Sequence, residues 1–476
     1  MYKKFNNPLI ERYASEEMAY IFSPEKKFGT WRKLWIALAE AERKLGLNIT
    51  EEQINELRKY QSDLNIDRAK EIERETRHDV MSHVKAYGEQ CENAKGIIHL
   101  GATSCYVGDN TDILVMKEAL DLIKKRLVNL MSNIRNFSQK HKDVPTLGFT
   151  HFQAAQLTTV GKRATLWNMD LLLDFQELEH ILEGLMMRGV KGTTGTQASF
   201  LELFDGDHDK VKELDKMVVE KFGFSKTFPV TGQTYSRKVD TQVMKLLSGI
   251  AQSMHKITND IRLLQHMKEI EEPFEKKQIG SSAMAYKRNP MRSERISSLA
   301  KYVISASSTP ELTIATQWFE RTLDDSANRR IVIPELFMAV DSILNIGTNV
   351  FDGMVVYHER IRRNVMSELP FMATENILME AVKKGGDRQE LHEIIREHSM
   401  ESAKRVKELG KENDLIDRLK MDSNFDIDDQ ELDSLLDPSN FIGRAKEQVE
   451  EFNNDHINPL LEKYKYFLGG KVVLHV

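Results

Sequence analysis

The chain has 476 residues, with 67 Lys plus Arg against 73 Asp plus Glu, a formal net charge of −6, and 41% hydrophobic and 29% charged residues. This length calls for two to four domains, and the missing basic excess argues against a nucleic-acid binder. Only 11 prolines and 25 glycines leave room for long helices and argue against an all-β fold, while two cysteines cannot staple a chain this long and fit a reducing, cytoplasmic compartment.

The N-terminus carries no apolar run of signal-peptide length, and no window reaches about 18 consecutive apolar residues, so neither a leader nor a membrane span is expected. Short helical patterns come first: 31–46 stops at Gly46, and 50–60 opens on Thr50 with Glu52 and Gln53 close behind, a capping arrangement. Thr76-Arg77-His78-Asp79 follows. A lone histidine is usually structural, but one flanked by Arg and Asp has neighbours able to tune its charge. In GATSCYVGDNTD (101–112), Thr103 and Ser104 stand just ahead of a long helix, where amides and hydroxyls can hold an anion.

That helix is predicted over 111–138, capped by Asn110 or Thr111. Ile113, Leu120, Ile123, Leu127, Leu130, Ile134 and Phe137 form a heptad seam. A second long helix is expected over 156–186, which places His151 at a loop–helix junction, where catalytic groups are often presented. The glycines Gly189, Gly192 and Gly195 lack the GK[ST] ending of a phosphate loop. Segment 238–270 reads as a helix of roughly 50 Å. The stretch 278–295 breaks the pattern with Gly280, Pro290 and dense polar groups. It reads either as a solvated surface loop or as a mobile loop whose Ser281 or Ser282, Lys287 and Asn289 fold over a charged ligand.

In 319–330, Arg321, Arg329 and Arg330 surround Ser326. They suit a salt-bridged helix face or recognition of carboxylate and phosphate. A last long helix is expected over 334–356 with Pro334 in its first turn. Beyond it lie short charged helices, broken at Gly385–Gly386, Asp437–Pro438 and Gly469–Gly470. Three domains result: 1–103, 104–356 and 357–476. The 14 histidines show no HExxH or Cys/His spacing, so no metal is expected. Long helices with narrow seams need partners, either within one subunit or across several, and periodicity does not separate the two.

The segment GSSAMAYKRNPMRSE (280–294) resembles the GSSxMPxKxNP signature of the fumarase, aspartase and argininosuccinase superfamily. TRHDVMSHV (76–84), GATSCYVGDNTD, THFQAAQLTTVGKR (150–163), VKGTTGTQASF (190–200), TGQTYSRKVD (231–240), FERTLDDSANRR (319–330) and FIGRAKEQVEEF (441–452) are similar to the adenylosuccinate lyase family, in the branch that includes the animal enzymes. Ala285 and Ala154 stand where the motifs usually have proline, which bears on loop dynamics more than on chemistry.

The resemblance implies an all-α fold of three helical domains, with a central bundle shared in a homotetramer and each active site built from three subunits. It implies cofactor-free β-elimination of fumarate from adenylosuccinate, giving AMP, and from SAICAR, giving AICAR. Ser281 is then the general base, its alkoxide supported by Lys287 and loop closure, and His151 the general acid. His78 contacts substrate and assists protonation. Arg12, Tyr13, Arg321, Ser326 and Arg330 match nucleotide and phosphate contacts. Arg77, Asp79, Thr103, Ser104, Gln233, Lys287, Asn289 and Arg295 match other substrate contacts, and Glu294 orients His151 or His78 from a neighbouring subunit. The partners implied are small molecules and further copies of the chain, not nucleic acid or membrane. The alternatives are a sister fumarate-releasing lyase such as argininosuccinate lyase, and a non-catalytic helical assembly protein.

Overall fold

The computed structural model describes residues 5–275, 277–425, 428–469 and 474; Met1–Lys4 of the N-terminal segment and Gly470 of the last predicted break lie outside the described residues. Helices dominate. Those that position the site are α1 (Pro24–Lys44), α2 (Asp79–Gln90), α3 (Ser104–Lys140), α4 (Val160–Gly184), α5 (Lys238–His266), α6 (Met291–Ala306), α7 (Asp325–Gly353) and α8 (His358–Met372). α3 packs on α4 and α7, α5 packs on α4, α6 and α7, and α6 lies against α7. The predicted seam of α3 is buried along its whole length, as expected of an apolar stripe with period 3.5.

Local chemistry sets several boundaries. The Ser23 hydroxyl accepts from Lys26 N and Pro24 occupies the first helical position, so α1 starts ahead of the predicted residue 31. Thr50 and Gln53 form a complete capping box. The α3 cap is Thr103, not Asn110 or Thr111. Both of those are buried inside the helix, and Asn110 Nδ2 donates to the carbonyls of Tyr106 and Gly189 at 2.8 and 3.0 Å.

Two further expectations are corrected. Residues 145–159 form an antiparallel hairpin, β1 (Pro145–Thr150) with β2 (Gln153–Thr159), so α4 begins at Val160 rather than near Gln156. The Thr-rich 153–159 stretch finds a strand partner in β1, and Thr159 caps α4 by accepting from Lys162 N at 3.0 Å. Pro334 lies in the interior of α7, which starts at Asp325. An interior proline costs roughly 3 kcal/mol, and burial of the apolar helix offsets it. α7 is the one described helix long and apolar enough to cross a membrane, yet 83% of that window is buried inside the fold.

β3 (Ile270–Glu271) pairs with β4 (Val355–Val356), tying the exit of α5 to the exit of α7. The main core runs from Leu9 through the long helices to Tyr464. A second core, including Ile377, Leu391, Ile395, Leu415, Leu419 and Leu432, gathers the short C-terminal helices. The breaks at Gly385–Gly386 and Asp437–Pro438 fall between helices there; Gly385 has φ 102° and Asp437 caps the turn starting at Pro438.

Candidate active site

Several chain reversals meet at one end of the bundle. Arg77 closes helix Ile66–Thr76 in the left-handed region at φ 53°, and the turn delivers His78 as the cap of α2. His78 Nδ1 accepts from Met81 N at 3.2 Å. The neutral ring therefore carries its proton on Nε2, which faces Ser104 Oγ at 3.4 Å. Asp79 Oδ1 accepts from Val80 N, and Oδ2 pairs with Arg330 Nη2 at 2.8 Å. Gln233 Oε1 accepts from Arg321 Nη1 at 3.0 Å, and Cys105 Sγ touches both. Burial pushes the Cys105 thiol up to about 12, so it stays a neutral donor. Ser326 lies in the first turn of α7, between Arg321 and Arg330, and the buried Thr103 hydroxyl has no hydrogen-bond partner among the described residues.

Beneath this surface lies a floor of buried ion pairs. Arg237 joins Asp109 at 3.2 Å and Asp325 at 2.7 Å, and Arg321 reaches Asp325 at 3.7 Å. Arg329 bridges Asp240 at 2.6 Å and Asp112 at 2.8 Å, while the Tyr235 hydroxyl donates to Asp240 at 2.6 Å. Burial alone would raise the Asp109 carboxyl, but Arg237, Arg329 and Arg188 outweigh it and hold it below the usual range. Gly232 seats the Gln233 loop: a Cβ there would sit 2.5 Å from the Glu320 carbonyl, and Gln233 N donates to that same oxygen at 3.1 Å. Arg321 and Arg329 were legible as members of the 319–330 cluster, whereas Asp109, Arg237 and Asp240 escaped the sequence reading. Their signal was a set of charged residues, Asp109, Arg237 and Asp240, at or beside the starts of long apolar helices.

Arg12, Tyr13 and Arg295 form a second group, with both guanidinium carbons 5.9 Å from the centre of the Tyr13 ring. The neighbouring Ser15 N donates to Asp341. Asp341 lies three turns along α7 from Arg330, about 16 Å away.

Ser281 and His151 belong to the opposite end. α3 has 37 residues, so roughly 55 Å separate Ser104 from the helix end that leads into the hairpin. Loop 277–290 follows the far end of α5, whose start carries Arg237. The Ser281 hydroxyl accepts from the backbone amides of Ala283 and Met284 at 3.4 and 3.2 Å. Two aimed N–H groups favour the ionised oxygen, a feature sequence reading missed because backbone direction leaves no residue signature. Asn289 Nδ2 donates to the Gly280 carbonyl at 2.9 Å, and a Cβ on Gly280 would lie 2.2 Å from the Lys287 carbonyl. Glu272 accepts from Arg292 N and Ser293 N, fixing the return into α6. The Lys287 side chain is exposed.

His151 and Phe152 form the hairpin tip with φ 53° and 58°. Both positions demand the left-handed region that Asn-Gly usually supplies. His151 thus stands exposed on a strained two-residue turn, not at a loop–helix junction. The hairpin root touches the root of the Ser281 loop through Thr146 Oγ1 and Glu269 at 3.3 Å. Within one chain the predicted residues therefore fall into three groups. His78, Asp79, Ser104, Gln233, Arg321 and Arg330 converge, Arg12, Tyr13 and Arg295 stand apart, and Ser281, Asn289 and His151 occupy the far end.

Known proteins give this dispersed set a context. A Lyase family model matches residues 1–305, and an "Adenylosuccinate lyase C-terminus" model matches 370–452. The adenylosuccinate lyase of Saccharomyces cerevisiae is 53% identical over 475 residues, covering 99% of this chain and 98% of that protein. The Schistosoma mansoni adenylosuccinate lyase is 47% identical over 466 residues, covering 98% and 97%. In fold, the chain is similar to the 3-carboxy-cis,cis-muconate lactonizing enzyme of Pseudomonas putida, at TM-score 0.83 and 23% identity over 95% of this chain and 99% of that one. Near-complete coverage at this identity, together with a lyase match over its first 305 residues, places the chain in the adenylosuccinate lyase family.

Proposed function

We propose that the chain catalyses β-elimination of fumarate from adenylosuccinate, giving AMP, and from SAICAR, giving AICAR, in purine nucleotide synthesis. The observation that carries this reading is the convergence of Arg321, Arg330, Gln233, His78 and Ser104 over a largely buried ion-pair floor, a surface suited to a polyanionic nucleotide. Ser281, as its alkoxide, removes a proton from the carbon beside a succinyl carboxylate. The electron pair moves into the carboxylate as an aci-carboxylate and then forms the new C=C bond as the C–N bond breaks. His151 delivers a proton to the departing nitrogen. No electrons are gained or lost, so acid, base and fixed charge suffice. The amides of Ala283 and Met284 stabilise the alkoxide, and Lys287 adds charge on loop closure.

Four chains form a homotetramer in which each site takes its groups from three subunits. Two observations support this assembly. About 55 Å of α3 separates the anion-binding group from the catalytic pair within a chain. Leu166, Met169 and Leu173, 50%, 41% and 53% exposed, also form an unpartnered apolar stripe on α4. The cytoplasm is the proposed compartment, in keeping with the two unbonded cysteines Cys91 and Cys105.

Incubating purified protein with adenylosuccinate and identifying the products tests the reaction; an untouched substrate overturns it. Mixing inactive Ser281→Ala and Arg321→Ala proteins tests the sharing of sites. Activity regained in the hybrids is expected, and hybrids as dead as their parents would refute it.

A further inference from the structure

Lys27 stands out as a charge that neither the proposed reaction nor the buried floor uses. It lies in the first turn of α1, with its ammonium 5.4 Å from the centre of the Phe28 ring and 5.2 Å from that of Trp31. Those rings pack on α2. Phe28 stacks on His83 at 3.8 Å between centroids, and Trp31 meets the same imidazole edge-on at 5.4 Å. His83 is one helical turn beyond Asp79, so both lie on the α2 face that looks at α1. Lys27 is thereby placed beside the His78–Asp79–Arg330 group.

Among the described residues the Lys27 ammonium has no hydrogen bond and no ion pair. The carboxylates that could neutralise it are already engaged. Asp79 holds Arg330 at 2.8 Å, and Asp112 holds Arg329 at 2.8 Å. Lys27 feels both, feels Glu73 more weakly, and is opposed by Arg330; burial, the largest influence, pulls it below the usual lysine range. A part-buried ammonium that shares its counter-ions with two guanidinium groups is a cation short of an anion. It gains most from a ligand that brings negative charge with it.

We infer that Lys27 is a further phosphate-binding residue of this site, its ammonium closing with Arg330 on the phosphate of the nucleotide. The inference rests on the nucleotide reading given above and adds a contact to it. Lysine suits the position because its point charge can settle on a phosphate oxygen while its four-carbon stem stays packed on Phe28 and Trp31. The competing role is structural: a cation–π anchor between α1 and α2 that never meets substrate.

Lys27→Met keeps the stem and removes the charge, and Lys27→Arg restores a cation. Steady-state kinetics on adenylosuccinate and on its phosphate-free nucleoside, together with calorimetric binding of AMP, separate the two roles. Removing one charge-assisted hydrogen bond should raise KM for adenylosuccinate and weaken AMP binding by roughly tenfold or more in Lys27→Met. The loss should appear in KM rather than kcat, with an unchanged melting temperature and partial recovery in Lys27→Arg. Preference for the phosphorylated substrate over the nucleoside should fall by the same factor. Unchanged AMP affinity, or an equal loss on both substrates, overturns the proposal while leaving the lyase reading intact. A wild-type protein that binds AMP more tightly than Lys27→Met yet leaves adenylosuccinate uncleaved would sink the reaction and keep the lysine.

Discussion

The two ends of the helical bundle solve different physical problems. At the end where α3, α5 and α7 begin, the exposed Arg330 and His78 stand over a floor in which Arg237, Arg329, Asp109, Asp240 and Asp325 are withdrawn from water and paired. At the other end, Ser281 and His151 ride on a loop and on a hairpin tip whose backbone is held in the left-handed region. Recognition of a polyanion needs positive groups that do not relax when the ligand leaves, and buried pairing provides that. Proton transfer needs groups that reach the reacting atoms and exclude water, and short, strained or closable segments provide that. One chain carries both solutions some 55 Å apart, a separation set by the length of α3.

The largest effect should come from the end that carries Ser281 and His151. Ser281→Ala and His151→Ala should each lower kcat by about 10²–10⁴-fold with little change in melting temperature, since both side chains lie outside the core. Near-normal turnover in either variant would remove that residue from its proton-transfer role. The rigid end should respond in the opposite currency. Asp325→Ala strands Arg237 without one buried partner and should cost about 3–5 kcal/mol of stability, measured by denaturant unfolding. A loss of activity with unchanged stability would instead show that the floor is not what holds this end together.

Glu42 sharpens the same contrast. It lies fully buried on α1, its carboxylate oxygens have no hydrogen-bond partner among the described residues, and burial pushes its carboxyl up to about 9 from an ordinary 4.5. The folded state therefore keeps a proton that the unfolded chain releases. Its contribution is fully present below about pH 4.5 and is lost as pH rises towards 9, falling by a few kcal/mol. Glu42→Gln should flatten this decline in unfolding experiments between pH 5 and 9. Parallel curves for the two proteins would show that Glu42 ionises without penalty.

The smallest effect concerns the loop. Lys287 N donates to the Met284 carbonyl at 3.0 Å, which places Ala285 second in a four-residue turn. Proline fits that position, so Ala285→Pro should stabilise the protein by about 0.4–1 kcal/mol and slow proteolysis within 277–290. Faster cleavage there would mean that the turn opens in solution.

Much of this was legible in the residues. The Ile113–Phe137 seam announced a buried long helix, Thr50 with Gln53 announced a helix start, and the GSSAMAYKRNP stretch announced the family likeness. The misreadings share a cause. Gln156 looked helical because its neighbours also fit a helical spacing, until pairing with β1 claimed them as strand. Pro334 looked like a helix start because proline is costly inside one, until burial of α7 offset the cost. Arg329 and Arg330 are the same residue type side by side. One helical step of about 100° turns the first into the ion-pair floor and the second towards the mouth of the site.

Residue order by itself determined the helical class, the heptad seams, the family likeness and the identity of the chemical groups, because each is written in short-range spacing and side-chain chemistry. Only the tertiary structure decided which charges are buried and paired, that the Ala283 and Met284 amides point at Ser281, that Lys27 lacks an ion-pair partner among the described residues, and that Ser281 and His151 stand a full helix length from Arg321 and Arg330. Those outcomes depend on which faces meet and how far apart rigid helices hold them, and neither quantity is carried by any single stretch of chain.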